Sequence, residues 1–181
     1  MKPKLTALFS TLAIALFLSM FVLADDDREW YRRHPDVEPV NHPEYESECG
    51  ACHFAYQPGL LPGRSWNVLM AGLENHFGEN AELDTATAGR IAAYLAGQAA
   101  DRSGRRLSKR IMHSLPASRT PLRISRLPAI TREHDELPPR LYSESPDVGS
   151  PGNCPACHRK AGTGHYDERT VIVPGYGRWD D

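Results

Sequence analysis

Two five-residue stretches decide the fold: residues 49–53 read Cys-Gly-Ala-Cys-His, and residues 154–158 read Cys-Pro-Ala-Cys-His. Together they contain all 4 cysteines of the 181-residue chain, and a histidine directly follows each pair. The same spacing thus occurs twice, with 101 residues between Cys52 and Cys154 and no cysteine left over for another use. Any fold for this chain must build two sites around this pattern.

The Cys-x-x-Cys-His pattern has a direct chemical interpretation. Two thiols three residues apart on a short helical turn can each form a thioether with one haem vinyl group, and the imidazole of the next residue then points at the iron. The sequence therefore predicts two covalently attached c-type haems, with His53 and His158 as the proximal iron ligands. The predicted attachment residues are Cys49, Cys52, Cys154 and Cys157.

Three other uses of paired cysteines fit the sequence less well. A four-cysteine zinc site usually has its two pairs about 15 to 20 residues apart, much closer than these pairs. A thioredoxin-like redox pair needs a strand-helix framework with apolar strands, whereas residues 41–48 are polar and contain proline. Two disulfides within Cys-x-x-Cys would be strained and would leave both histidines unexplained.

The first 24 residues have the pattern of a secretory signal peptide. Lys2 and Lys4 give a basic start, residues 5–23 are almost wholly apolar, and small residues precede Asp25. This pattern predicts export to the periplasm, while the length of the apolar run leaves an uncleaved N-terminal membrane anchor as an alternative. Removing residues 1–24 takes away 2 lysines and no acid, which changes the net charge from −2 to −4. No attraction to nucleic acid is therefore expected.

Proline divides the rest of the chain into two unlike halves. Residues 63–115 contain no proline, whereas residues 116–155 contain eight of the 15, so helices are expected mainly in the first half. Ser65 and Asp84 are predicted to begin two helices, because each precedes apolar residues at helical spacing. Those apolar residues are Val68, Leu69, Leu73 and Phe77 in the first helix and Ile91, Tyr94 and Leu95 in the second.

The second half is predicted to be extended and irregular, with one helical turn near residues 131–135. Aromatic residues make up only 8% of the chain, so side chains alone make a poor core here and the second haem is expected to organise the fold. The predicted fold class is mainly α with extensive irregular loops. We expect a first haem domain at residues 25–104 and a second, irregular haem domain at residues 105–181.

Longer stretches around both motifs follow a known pattern. They are residues 48–66 (ECGACHFAYQPGLLPGRSW), 76–81 (HFGENA), 91–95 (IAAYL), 123–124 (RI) and 132–134 (REH), with Ala161 and Gly164 after the second motif. In this order they resemble the bacterial dihaem cytochrome c family. The resemblance implies a soluble periplasmic electron carrier with two low-spin haems. Residues 91–95 also look like the last helix of a small class I cytochrome c, which implies that fold for the first half.

The same resemblance implies particular partners. It points to electron exchange with other cytochromes, such as the oxygen-binding monohaem cytochrome called sphaeroides haem protein, and to a membrane b-type cytochrome as a companion. No small-molecule substrate is expected. The alternative is a small dihaem enzyme, a peroxidase or reductase with one open haem iron, although peroxidases of that class are usually much longer chains.

The resemblance also implies the ligands opposite the proximal histidines. His76 and His134 coincide with the distal histidines of the family, and we expect His76 to serve the first haem and His134 the second, with a crossed arrangement left open. Iron with two imidazole ligands is low-spin and has a lower potential than iron with a methionine ligand. The side chains with weaker claims are His34, His42, His113, His165, Met70 and Met112.

Two residues soon after the first motif could contact a haem propionate. Arg64 offers a guanidinium and Trp66 an indole N–H, and both groups bind carboxylates. A packing pair at the start of a helix is an equally good interpretation, so the sequence leaves both roles open.

A basic stretch occupies residues 102–126, which contain eight basic residues and no acid. They are Arg102, Arg105, Arg106, Lys109, Arg110, Arg119, Arg123 and Arg126. Such a run is often only a solvated face, and some of these residues could neutralise propionates. The sharper hypothesis is a docking patch for an acidic redox partner.

Overall fold

The computed structural model describes residues 34–179. The signal peptide predicted for residues 1–24 lies outside this range, as do the first residues of the predicted first haem domain. Among the helices of the described residues, none combines the length and the apolar character that crossing a membrane requires.

Helices provide most of the regular structure. Residues 34–179 contain six α-helices: α1 (Pro43–Gly50), α2 (Gly63–Ala71), α3 (Thr85–Gly97), α4 (Arg106–Ser114), α5 (Pro128–Glu133) and α6 (Cys154–Cys157). Short 3-10 turns lie at Pro58–Leu60, Leu73–Asn75, Ile124–Arg126, Pro139–Leu141, Ala161–Thr163 and Glu168–Thr170. Strands β1 (Ile172–Val173) and β2 (Gly177–Arg178) pair antiparallel, with Ile172 opposite Arg178. The predicted fold class, mainly α with extensive irregular loops, is confirmed.

Helix α3 begins where the sequence predicts. The Asp84 carboxylate accepts hydrogen bonds from the backbone N–H groups of Ala86 and Thr87, which have no partner within the helix. Ile91 and Leu95 lie four residues apart on one face and are both buried. The capping residue and the apolar spacing therefore agree, and the predicted start is correct.

Helix α2 begins three residues earlier than predicted. Pro62 is its N-cap, and Ser65 lies inside the first turn with its hydroxyl buried. The Gly63 N–H, one of the groups that a capping side chain would satisfy, donates instead to the carboxylate of Asp101 at 2.7 Å. The prediction of Ser65 as the cap was wrong, because the capping group comes from a residue 38 positions away.

Helix α2 also ends earlier than the apolar spacing suggested. It stops at Ala71 with Gly72 as its C-cap, and Leu73 belongs to a separate 3-10 turn. Phe77 has a left-handed backbone, with φ of 59°, and its side chain is 44% exposed. Including Leu73 and Phe77 in this helix was therefore wrong.

Helix α5 contains the turn predicted near residues 131–135, shifted toward the N-terminus. It begins at Pro128, and proline suits the first position of a helix because the missing N–H would have no partner there. It ends at Glu133, which leaves His134 as the C-cap. The remainder of residues 116–152 is irregular apart from short turns, as expected.

The core is one cluster of buried apolar residues. Its members include Val37, Tyr45, Leu60, Leu61, Trp66, Ile91, Leu95, Leu107, Ile111, Leu115, Ile124 and Leu127. Helices α2 and α3 pack against each other, and α4 packs against α5. The cluster includes residues on both sides of the predicted domain boundary at residue 104, and that boundary stays a prediction.

The segment around Asp36 is hydrogen-bonded to residues 164–166, which follow the second motif. The backbone N–H groups of Asp36 and Val37 donate to the carbonyl oxygen of Gly164 at 2.8 and 3.2 Å. The Asp36 carboxylate accepts from the Tyr166 N–H at 2.8 Å and from Arg106 at 2.6 Å. Gly164 has φ of 75°, and a Cβ there would overlap the Val37 carbonyl oxygen, so only glycine allows this approach.

Candidate haem-binding sites

The first candidate site follows helix α1. Cys49 occupies the last turn of that helix, and Cys52 and His53 follow in the turn that leads away from it. The His76 side chain approaches from the turn after α2. The ring centres of His53 and His76 are 6.2 Å apart, and their planes are nearly parallel, with an angle of 22° between them.

The second candidate site combines helices α5 and α6. Cys154 and Cys157 are the first and last residues of α6, and His158 is its C-cap. His134 is the C-cap of α5. The ring centres of His134 and His158 are 6.1 Å apart, with an angle of 70° between their planes.

Both separations fit an iron ion bound by two imidazoles. A histidine nitrogen binds a transition metal at about 2.0–2.1 Å, and the ring centre lies roughly 1.1 Å behind that nitrogen, so opposed imidazoles on one metal have centres about 6 Å apart. The two observed separations are 6.2 and 6.1 Å. The structure thus brings together His53 with His76 and His134 with His158, the uncrossed arrangement.

Backbone carbonyls orient one histidine of each pair. Nδ1 of His53 lies 2.8 Å from the carbonyl oxygen of Phe54, and Nδ1 of His134 lies 2.8 Å from that of Ile130. A carbonyl oxygen only accepts, so each Nδ1 carries the proton and donates it. This tautomer leaves Nε2 free, which is the usual arrangement in metal-bound histidines.

Burial favours the neutral form of the other two imidazoles. It lowers the pKa of His158 to about 4, with a further contribution from His134. It also lowers the pKa of His76, and His53 and Arg123 add to this effect. Nδ1 of His158 is buried and has no hydrogen-bond partner among the described residues. Histidine binds metals in its neutral form, so both environments suit a ligand at neutral pH.

A deep cavity adjoins the second pair of histidines. It encloses about 1450 Å³ of space, part of it open to solvent. Cys154, Cys157, His134 and His158 all contribute to its wall. The apolar wall residues are Leu60, Leu107, Ile124, Ile130, Leu137, Val148, Val171 and Val173. This lining fits a large, mostly apolar group attached to the cysteines and ligated by the histidines.

The first site lies much closer to the surface. Cys52 and His53 are exposed, and Cys49 and His76 are half-buried. Phe77, next to His76, is also exposed, and its ring centre is 4.8 Å from that of His76. The two sites therefore share their ligand types and differ in burial.

The cysteines are not arranged for zinc binding or thiol redox chemistry. None forms a disulfide. In the described part of the chain, no three His, Cys, Asp or Glu side chains come close enough to bind a metal ion together. Burial raises the pKa of the free thiols of Cys49 and Cys154 to about 11, whereas reactive thiols have lowered pKa values. The geometry therefore disfavours both alternatives.

Tyr56 contacts both sites. Its ring centre is 5.3 Å from that of His53, and its hydroxyl donates a 2.7 Å hydrogen bond to the carbonyl oxygen of Gly152, two residues before Cys154. The same ring lines the cavity of the second site. Burial, with a contribution from Cys154, raises the pKa of Tyr56 to about 12, so the hydroxyl stays protonated. A Cβ on Gly152 would lie 2.6 Å from the tyrosine oxygen, which favours glycine there.

A second polar connection runs through the buried Gln57. Its amide nitrogen donates to the carbonyl oxygen of Ala161 at 2.5 Å, and its amide oxygen accepts from the Tyr166 hydroxyl at 2.8 Å. The Tyr166 ring centre is 5.3 Å from that of His158. Each proximal histidine therefore packs near a tyrosine, and the two tyrosines are joined through the adjacent Gln57.

Sequence reasoning did not identify Tyr56, Gln57 or Tyr166 as site residues. Each obtains its role from a hydrogen bond to a residue about a hundred positions away, with separations of 96, 104 and 109 residues. The one available signal was the place of Tyr56 and Gln57 directly after the first motif.

Arg64 and Trp66 make backbone contacts near the start of α2. The Trp66 indole N–H is buried and donates to the carbonyl oxygen of Pro58 at 2.8 Å. The Arg64 side chain donates from Nε to the carbonyl oxygen of Arg119 at 2.7 Å. Because the indole has a single donor, the structure uses Trp66 as a packing residue, while part of the Arg64 guanidinium stays available. The propionate contacts stay predictions.

The histidines with weaker claims lie elsewhere. His42 caps helix α1 by accepting from the Tyr45 N–H at 3.2 Å, and its ring lies 4.6 Å from that of Tyr94. His113 is exposed in the last turn of α4. His34 and His165 lie near the two ends of the described chain. None of these four takes part in a histidine pair within residues 34–179.

A family model described as dihaem cytochrome c matches residues 45–166. The match covers more than half of the chain and includes both Cys-x-x-Cys-His motifs. The chain therefore belongs to the dihaem cytochrome c family, as the resemblance implied. Membership confirms the predicted cofactors, two c-type haems with iron.

Solved structures support the same assignment. A diheme cytochrome c from Rhodobacter sphaeroides is 46% identical in sequence to this chain, with a TM-score of 0.64. The match covers 72% of this chain and 100% of the Rhodobacter chain. A diheme cytochrome type c from Shewanella baltica OS155 is 41% identical in sequence to this chain, with a TM-score of 0.62. The match covers 76% of this chain and 96% of the Shewanella chain. Among curated proteins no match was found.

Proposed function

We propose that this dihaem cytochrome c is a periplasmic electron carrier in which each haem iron has two histidine ligands. The supporting observation is the pair of imidazoles at each site, with ring centres 6.2 and 6.1 Å apart. A haem iron held by two imidazoles would have no open position for a substrate. This arrangement favours electron transfer over the chemistry of a peroxidase or reductase.

The chain's own residues would attach, ligate and orient the cofactors. The attachment residues are Cys49, Cys52, Cys154 and Cys157, and the ligands are His53, His76, His134 and His158. Bound haem supplies one-electron oxidation and reduction at its iron. The carbonyls of Phe54 and Ile130 fix the rings of His53 and His134, so the ligands are positioned before any change of redox state. Such fixed ligands favour rapid electron transfer.

Exchange between the two sites is part of the proposed function. Tyr56 packs near His53 and also lines the second cavity, so one side chain touches both sites. Gln57 and Tyr166 provide a parallel hydrogen-bonded connection toward His158. These contacts support a short, continuous packed path between the two pairs of ligands.

The proposed partners are other cytochromes. An oxygen-binding monohaem cytochrome c and a membrane b-type cytochrome are the two kinds that the sequence resemblance implies. The signal-peptide pattern of residues 1–24 supports a periplasmic location. Separation of periplasm from membranes in producing cells, followed by haem staining, tests this location: haem confined to the membrane fraction would indicate an anchor instead.

Electron paramagnetic resonance of the oxidised, exported protein tests the ligation, with haem content per chain measured on the same sample. We expect two haems per chain and only low-spin signals of bis-imidazole type. A substantial high-spin signal in the native protein would show an open iron and would favour the enzyme instead of the carrier.

A further inference from the structure

An exposed aromatic side chain, Phe77, lies next to the first site, and further exposed apolar side chains lie on the segments that contact it. Four large hydrophobic residues are exposed within residues 34–179, and three of them are Val68 at 48%, Phe77 at 44% and Leu122 at 36%. Val68 is on helix α2, Phe77 is in the turn that follows it, and Leu122 is in the irregular segment 116–123. Exposed apolar groups that lie together mark interaction sites more often than single ones do.

Two arginine contacts bring these three segments together. Arg64 on α2 donates to the carbonyl oxygen of Arg119 at 2.7 Å, which holds one part of the irregular segment against the helix. Arg123 lies over the Phe77 ring, with its guanidinium carbon 3.9 Å from the ring centre. Val68 is one helical turn from Arg64, and Leu122 is next to Arg123. We call these six residues the Phe77 surface: Arg64, Val68, Phe77, Arg119, Leu122 and Arg123.

The Phe77 surface borders the first pair of ligands. The ring centre of Phe77 is 4.8 Å from that of His76, which in turn is 6.2 Å from that of His53. A protein bound on Phe77 would therefore lie within one side chain of an iron ligand. Protein interfaces are enriched in aromatic residues and arginine, the two residue types that meet here.

The structure separates the basic stretch into arginines that form ion pairs and exposed arginines that belong to the Phe77 surface. Three of its arginines form internal ion pairs, at 2.6 Å between Arg105 and Glu38, 2.6 Å between Arg106 and Asp36, and 3.0 Å between Arg110 and Glu133. Their charge is therefore largely compensated.

The charge of the Phe77 surface is less compensated. Arg119 and Arg123 are exposed, and no acid occurs in residues 116–132. With Arg64 the surface carries three cations, and the nearby turn contributes two exposed acids, Glu74 and Glu79. The balance is positive on a chain whose net charge is −2. Opposite charge on a partner would therefore favour binding at this surface over the rest of the molecule.

We propose that the Phe77 surface docks an acidic redox protein and makes the first site the port through which this carrier exchanges electrons with partners. Phe77 and Leu122 are the apolar anchors, and Arg119 and Arg123 attract and orient carboxylates around the partner's redox centre. The proposal rests on the proposed function of electron transfer and adds where and with what surface chemistry the exchange takes place.

Binding to two small cytochromes of opposite surface charge tests the proposal. The holoprotein is titrated by surface plasmon resonance with an acidic cytochrome that has carboxylates around its haem edge, and with a basic cytochrome of similar size. The double variant Arg119→Glu/Arg123→Glu is expected to weaken binding of the acidic cytochrome by about tenfold or more at low salt and to reduce the salt dependence. Leu122→Ser should weaken binding with little change in salt dependence.

The matched control is Arg102→Glu/Lys109→Glu, which makes the same change of charge at exposed positions of the same basic stretch. We expect it to bind the acidic cytochrome within about twofold of the native protein. Equal weakening by both double variants would show that only net charge matters and would overturn the proposal. Tighter binding of the basic cytochrome, or a dimer of this chain that the Arg119→Glu/Arg123→Glu variant dissociates, would also overturn it.

The optical and electron paramagnetic resonance spectra of each variant separate this proposal from the proposed function. Unchanged low-spin spectra in a variant that has lost binding support the docking surface. Unchanged binding with the expected spectra would reject the Phe77 surface and leave the carrier intact. High-spin spectra in the native protein would reject the carrier, whatever the binding results.

Discussion

The two haem sites use the same five-residue motif in different surroundings. At the first site Cys52 and His53 are exposed, whereas at the second site Cys154 and His158 are half-buried in the wall of a cavity that is partly open to solvent. The proposed distal ligands differ as well. His76 lies in a turn beside a residue with φ of 59°, whereas His134 caps a helix and is held by Ile130. The motif determines the attachment chemistry, and the rest of the chain determines how much solvent reaches it.

This difference suggests a division of roles. The exposed site is suited to exchange with partners, because a docked protein comes close to His76. The recessed site is suited to hold the irregular half together, since its apolar wall includes Leu107 and Ile124 of the main buried cluster.

Removing the attachment cysteines should affect the two sites unequally. Cys154→Ala/Cys157→Ala is expected to abolish cooperative folding, because without the haem the apolar wall residues Leu107 and Ile124 would lose the group against which they pack, and a typical domain is stable by only about 5–15 kcal/mol. Cys49→Ala/Cys52→Ala should lose one haem and still unfold cooperatively. Haem staining and thermal unfolding followed by circular dichroism check this. Equal losses of cooperativity would contradict the division of roles.

Removing either proposed distal histidine should leave an open position on the corresponding iron. The two open irons should differ in how easily a small ligand in solvent reaches them. We expect His76→Ala and His134→Ala each to convert about half of the low-spin electron paramagnetic resonance signal to high-spin, since one of two irons loses a ligand. Added cyanide should bind faster in the His76 variant, because that site is closer to solvent. An unchanged spectrum in either variant would refute the ligand assignment for that histidine.

Replacing Tyr56 should slow exchange between the sites. Tyr56→Leu removes the ring that touches both, whereas Tyr56→Phe removes only the 2.7 Å hydrogen bond to Gly152. Pulse radiolysis, which follows reduction of each haem with time, should show slower equilibration in the leucine variant and a smaller change with phenylalanine. The control is Tyr142→Leu, whose ring lies 5.0 Å from that of His134 and lines only the second cavity. Comparable slowing in that control would reject a specific role for Tyr56.

The smallest effect is expected from the cap of α3, whose hydrogen bonds stay within that helix. Asp84→Ala should lower Tm by about 2–4 °C without changing the haem spectra. Hydrogen bonds from Thr87 and then Ala86 lower the pKa of Asp84 below its unfolded value of about 3.9. The cap therefore contributes fully above the unfolded pKa and is lost as the pH falls through the lower folded pKa. The Tm difference between native protein and variant should vanish in strong acid; a constant difference would contradict this.

Local sequence signals predicted the features that depend on neighbouring residues. The two attachment motifs, the start of α3 at Asp84 and the mainly helical class could all be predicted because each depends on residues within one or two turns. The start of α2 could not, because its first N–H, that of Gly63, donates to the distant Asp101 carboxylate. The extension of α2 to Phe77 failed for a related reason: apolar spacing continued past Gly72, although the helix did not.

The histidine pairs illustrate the same limit. His53 and His158 follow from the motifs alone, whereas His76 and His134 needed the resemblance to a family, since nothing in their local sequence distinguishes them from surface histidines. Tyr56 and Tyr166 carry even less local signal, because their contacts to the opposite half exist only in the folded chain. Burial likewise depends on the whole fold, so the unequal exposure of the two sites could not be predicted.

The contact between Asp36 and the end of the chain has a consequence for biogenesis. The hydrogen bond from the Tyr166 N–H to Asp36 closes a loop of 130 residues, the longest separation among the side-chain hydrogen bonds of the described chain. Closing so long a loop requires residues 164–166 to have been synthesised, and contacts between distant residues form slowly. If the chain is exported as proposed, this contact can form only after residue 166 has crossed the membrane, so the second cysteine pair would reach the attachment machinery before the two ends of the loop are joined.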